Sequence, residues 1–138
     1  MSRTSFQWCL PLLCVLVLAA CGGTATQTPP TGVSVTASEF HFEPSALTLK
    51  AGQATTLTFK NAGQTLHDFT IVSGPGVPTP DAMSSSMDHM QEQSPYHAAA
   101  EAGKQSTLLL NLPAGTYTFI CSVQGHKDLG MRGTITVQ

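Results

Sequence analysis

Residues 121–131, Cys-Ser-Val-Gln-Gly-His-Lys-Asp-Leu-Gly-Met, put a thiol, an imidazole and a thioether on one short stretch. A strand pattern precedes it, Gly115-Thr116-Tyr117-Thr118-Phe119-Ile120, and another follows, Gly133-Thr134-Ile135-Thr136-Val137. Strands send alternate side chains to opposite faces, so each pattern offers one apolar face. The three donors therefore sit on a loop pinned at both ends by strands. Such a loop can curl its side chains around a single ion without moving the strands.

One Cys, one or two His and a Met form a soft donor set. Zinc sites use Cys and His but rarely Met. Two His and one Cys in a trigonal arrangement, with a long axial Met, describe a blue-copper electron-transfer site. The loop has only His126, so a second His must come from elsewhere. The best candidate is His67, in Thr65-Leu66-His67-Asp68-Phe69-Thr70-Ile71-Val72. It stands where a polar, Gly-containing loop, residues 61–65, runs into an apolar strand. Ser122 and Asp68 each follow a ligand directly, and either a hydrogen bond supporting the site or a plain surface position suits them.

The rest of the chain supplies strands. Val33 and Val35 open a first strand, and Phe40 and Phe42 share an alternating face, with His41 between them pointing outward. Leu47 and Leu49 alternate in the next, which Ala51-Gly52 ends. Residues 55–60 alternate again through Leu57 and Phe59, and Asn61-Ala62-Gly63 is a turn signal. Further strands span 67–72 and 106–112, the latter with Leu108 and Leu110 inward. Seven or eight short strands separated by turn residues predict an all-β sandwich.

Residues from about 74 to 105 interrupt that pattern. Gly74-Pro75-Gly76-Val77-Pro78-Thr79-Pro80 reads as a rigid loop. Met83, Met87 and Met90 then recur at helical spacing, which predicts a short helix over 82–91. A second is expected over 97–102, with Pro95 between the two. Met83, Met87, His89 and Met90 offer a second, Cu(I)-selective site, since thioethers favour Cu(I). The simpler reading, which we prefer, is a Met-lined helix face packed on the sandwich, because Met commonly fills irregular gaps.

Together these residues resemble the cupredoxins, the small blue-copper proteins that include plastocyanin, azurin and rusticyanin. The resemblance runs from about Val33 to Gln138. It rests on His67, on the Cys-x4-His-x4-Met loop of Cys121, His126 and Met131, and on Gly133 just after it. Phe40-x-Phe42-x-Pro44 with Leu47-x-Leu49-x-Ala51-Gly52 also matches. The loop spacing is closer to rusticyanin than to azurin, which is shorter between His and Met, or plastocyanin, which is shorter between Cys and His. The resemblance implies a Greek-key β-sandwich and one type 1 copper ion per chain, held by His67, Cys121, His126 and Met131. It also implies that His126 reaches the surface through an apolar patch and serves as the electron port, with Leu129, Gly130 and Met131 around it.

The first twenty residues are read as an export signal, because Leu10 to Leu18 is too short an apolar run to span a membrane. Leu18-Ala19-Ala20-Cys21 resembles a bacterial lipobox, which makes Cys21 the lipidation site. Residues 21–32 carry no charge and read as a flexible tether with roughly 20 Å of reach, and residues 33–138 form the domain. Cys9 and Cys14 leave with the signal, so Cys121 becomes the lone free thiol of an exported protein. Metal binding accounts for a thiol in that position. The net charge of −2, without any basic cluster, argues against a nucleic-acid partner.

These features lead to one expectation: a monomeric, lipid-anchored electron carrier at the periplasmic or outer face of a bacterial membrane, without enzymatic activity. It would cycle Cu(II) and Cu(I) between transient redox partners such as cytochromes, oxidases or reductases. The rival expectation is a copper chaperone or storage protein that uses the Met/His insertion. A third is a sensor or an accessory subunit of a respiratory complex.

Overall fold

The computed structural model describes residues 31–78 and 94–138. The signal segment, Cys21, most of the tether, the helix expected over 82–91 and the Met83, Met87, His89 and Met90 group lie outside those residues. Among the described residues every regular element is a strand. In chain order they are β1 (Thr31–Ser38), β2 (His41–Glu43), β3 (Ala46–Leu49), β4 (Thr55–Asn61), β5 (His67–Ser73), β6 (His97–Ala100), β7 (Gln105–Leu110), β8 (Gly115–Ile120) and β9 (Arg132–Val137).

The strands form two sheets, one ordered β2-β1-β4-β7 and the other β3-β9-β8-β5-β6. β1 runs parallel to β4, with Val35 opposite Phe59, and β3 runs parallel to β9, with Leu47 opposite Ile135. β2 and β3 are consecutive yet belong to different sheets, so the chain crosses the sandwich at Pro44 and Ser45. The all-β sandwich read from the sequence is the architecture found.

Alternation along each strand decides what is buried. β9 shows it cleanly: Gly133, Ile135 and Val137 face in, and Arg132, Thr134 and Thr136 face out. The centre of the core is aromatic. Phe42 and Phe59 come from one sheet, Phe69 and Phe119 from the other, and all four are buried. Phe69 stacks on Phe119 at 4.5 Å, and Phe42 reaches across to Phe119 at 5.2 Å. Each such pair adds about 0.5–1.5 kcal/mol beyond the area it buries. Gly133 is required here: a Cβ would drive into the Phe119 ring and the Ser45 carbonyl.

Two expectations need correction. The segment expected to be helical over 97–102 contains β6, whose His97 pairs with Thr70 and whose Ala100 pairs with His67. Alanine's helix preference amounts to only a few tenths of a kcal/mol per residue. Pairing along the free edge of β5 outweighs it and buries Ala98 and Ala100 while Ala99 stays exposed. Phe40 does not share a strand face with Phe42. It lies in the β1–β2 turn with φ of 65°, and is 41% exposed. His41 is exposed on β2, as expected, and hydrogen-bonds the Ser38 hydroxyl.

Candidate metal centre

β5 and β8 are antiparallel neighbours, with Ile71 opposite Phe119. His67, Phe69 and Ile71 lie at alternate positions of β5, and Tyr117, Phe119 and Cys121 continue the same way along β8, all fully buried. A period of two therefore brings His67 and Cys121 out on one face at one end of the sandwich. Cys121 stands just past β8 and opens the loop to β9.

That loop is a series of tight turns. Met131 N–H donates to the His126 carbonyl at 3.1 Å, and Cys121 N–H donates to the Met131 carbonyl at 3.1 Å. His126 N–H donates to the Val123 carbonyl. The backbone thus folds His126 back over Cys121 while the strands hold both ends. Cys121 Sγ lies 3.9 Å from His67 Nδ1 and 3.5 Å from His126 Nδ1, and the two Nδ1 atoms are 3.1 Å apart. Residues 54 positions apart in the chain meet in this triangle.

The triangle can be tested against an ion. With about 2.0–2.1 Å to imidazole nitrogen and about 2.3 Å to thiolate sulfur, a trigonal or tetrahedral ion needs edges of roughly 3.3–3.8 Å. The observed edges lie within a few tenths of an ångström of that span, so one ion fits with little movement. Met131 is fully buried beside the triangle in sequence and backbone bonding. Two imidazoles, a thiolate and a thioether suit copper better than zinc. His67 and Cys121 are buried, whereas His126 is only partly covered.

In the metal-free site, burial favours the neutral forms of Cys121 and His67. Burial pushes the Cys121 thiol up, and the Asp68 carboxylate pushes the same way, while the Asp68 and Val123 backbone N–H groups oppose them. Burial likewise pulls His67 down, aided by the neighbouring His126 and opposed by Glu39 and Asp68. A neutral imidazole is the form that binds a metal, and metal coordination deprotonates a thiol.

Asp68 and Ser122, left open between support and surface, are both buried. Asp68 Oδ1 accepts from Ser122 N–H at 2.6 Å, and its Oδ2 accepts from the Ser122 hydroxyl. Each residue follows a candidate ligand, so this one contact ties the His67 strand to the Cys121 loop. The Thr70 hydroxyl extends it, 3.4 Å from Asp68 Oδ1 and 2.8 Å from His97 Nδ1.

Asn61 has a role that a turn signal does not reveal. Its amide donates to the Thr65 carbonyl at 2.7 Å and the Ala100 carbonyl at 2.8 Å, and its Oδ1 accepts from Gly63 N–H at 2.8 Å. It is 3% exposed, so this is a buried staple that fixes the loop leading into His67. Asn-x-Gly signalled the bend; the long-range bond to Ala100 left no local trace. Phe40 was also missed as a neighbour of the site: its ring meets His126 edge-on at 5.4 Å.

Comparison with known proteins bears on this geometry. A family model described as a cupredoxin-like domain matches residues 10–137. The copper-resistant cuproprotein CopI of Pseudomonas aeruginosa is 28% identical over 137 residues, covering 77% of this chain and 75% of that protein. Auracyanin-A of Chloroflexus aurantiacus is 28% identical over 148 residues, covering 88% of this chain and 89% of the other. The structure of auracyanin B superposes with a TM-score of 0.65 at 25% identity, over 80% of this chain and 91% of that one. With a His-Cys-His triangle at one end of a two-sheet sandwich and a family model that spans nearly its whole length, the chain belongs to the cupredoxin-like family.

Proposed function

We propose that this protein is an exported blue-copper electron carrier, with His67, Cys121 and His126 as its strong ligands and Met131 as the weak axial one. The observation that carries the reading is the convergence of both Nδ1 atoms and Sγ within 3.9 Å. When bound, copper supplies one-electron chemistry between Cu(II) and Cu(I). The chain's part is to hold the donors still. Strand β5, the Asp68–Ser122 tie and the Asn61 staple all resist movement, and a donor set that moves little keeps the barrier to electron exchange low. Similarity to auracyanin A, described as a blue copper protein, supports the same reading.

His126, the least buried of the three, is the electron port on this reading. Phe40, Leu66 and Leu129 are 41%, 41% and 61% exposed on the segments that carry or touch the ligands. An apolar rim of that kind suits a brief encounter with a redox partner. The protein acts without enzymatic turnover of a substrate, and is held to the membrane through a lipid on Cys21.

A second reading is copper handling, favoured by the similarity to the copper-resistant cuproprotein CopI. Absorption spectroscopy of the copper-loaded protein separates the two. A strong thiolate-to-copper band toward the red, bleached by reductant with fast electron exchange, is expected. A colourless copper-loaded protein that passes copper rapidly to a partner would overturn the carrier reading.

A further inference from the structure

The turn between β1 and β2 meets the His126 ring and lies across Gly63 from the His67 ring. Phe40 is held at φ 65° and sets its ring against His126. Its carbonyl also lies close to Gly130 of the β8–β9 loop, since a Cβ there would come within 3.2 Å of it. The preceding residue, Glu39, faces the other ligand. Its Oε1 accepts from Gln64 N–H, which anchors the carboxylate on the loop leading to His67. A Cβ built on Gly63 would lie 2.7 Å from Glu39 Oε1 and 2.9 Å from His67 Nε2. The carboxylate and the far nitrogen of the imidazole thus flank the bare α-carbon of Gly63, where only glycine leaves room for both. Thr65 Oγ1 lies 3.5 Å from the same nitrogen.

We propose that Glu39 is a positioning residue of the metal centre: its carboxylate orients His67 through the Nε2 side and favours the more positively charged, oxidised ion. The inference deepens the carrier reading and rests on it for the ion alone. When Nδ1 serves the metal, Nε2 carries the proton, and a negative group on that side stabilises this tautomer and strengthens the ligand. The Gln64 N–H holds the Glu39 carboxyl below its ordinary range, so the charge is present at neutral pH. Asp68 also acts on His67, but its carboxylate is engaged with Ser122.

The test is Glu39→Gln, which keeps an oxygen for the Gln64 N–H and removes only the charge. The residue is exposed, so the fold should survive. In the copper-loaded protein the equilibrium should tilt about threefold toward Cu(I), the scale of one solvent-exposed charge at short range. Protein-film voltammetry reads that as a potential raised by roughly 28 mV at 59 mV per decade. The rise should shrink as salt is added. In the metal-free protein, the His67 ring nitrogen shifts should move away from the Nε2–H tautomer. A potential equal to that of wild type at low salt overturns the proposal, since mere loop stapling would survive the substitution. If wild type itself lacks the thiolate–copper band, the carrier reading falls. The metal-free ring shifts then decide this inference alone, and unchanged shifts in Glu39→Gln reject it.

Discussion

Replacing Asp68 by Ala removes the tie between the His67 strand and the Cys121 loop. Asp68 is fully buried and accepts from both the backbone N–H and the hydroxyl of Ser122, itself 5% exposed. Hydrogen bonds to a charged acceptor contribute about 1.5–3 kcal/mol each, and a donor stranded away from water costs about 1–3 kcal/mol. These terms overlap, so Asp68→Ala should destabilise the metal-free protein by about 3–5 kcal/mol. Asp68→Asn keeps Oδ1 for the Ser122 N–H and lets the hydroxyl turn to accept, so it should cost about 1 kcal/mol. Urea unfolding followed by circular dichroism is the assay. With a slope of about 1–3 kcal/mol/M, the Ala variant should lose about 2 M in midpoint and the Asn variant well under 1 M. A double-mutant cycle of Asp68→Ala with Ser122→Ala should return a coupling of about 1.5–3 kcal/mol. Equal midpoints for Asp68→Ala and Asp68→Asn, or a coupling near zero, would refute the reasoning.

Two other outcomes follow from the site. Met131→Gln should retain copper but lower the reduction potential, because a harder oxygen donor favours Cu(II); voltammetry showing the wild-type value would remove Met131 from the ligand set. His67 is held neutral in the metal-free fold, with its pKa below the ordinary 6.5. Below that value the unfolded chain takes up a proton that the folded one refuses, so stability falls as pH falls. Urea midpoints of the metal-free protein should therefore decline from pH 7 to 5.5, less steeply in His67→Gln; a flat wild-type profile would contradict the burial argument.

The local donors were legible because their spacing is local. Cys121, His126 and Met131 share one loop, and chain connectivity alone keeps them near one another. Strand alternation at Leu57 and Phe59, or at Ile135 and Val137, was equally plain, since burial on one face imposes a period of two. Where the pattern was short or its partner distant, the reading failed. Three alanines in a row fit a helix as well as an edge strand, and only the free side of β5 chose between them. Phe40 kept the spacing of a strand residue while its backbone turned at positive φ.

The sequence by itself determined the donor chemistry, a thiolate, imidazoles and a thioether on a strand-pinned loop, and the β character of the chain around it. Only the tertiary structure decided the distances within the triangle and which residues stand behind it. Asp68 meets Ser122 across 54 positions, Asn61 meets Ala100 across 39, and Glu39 meets Gln64 across 25. The reason is physical: side-chain direction along a strand follows from local alternation, whereas contact between strands depends on sheet order and register, which the whole chain settles together.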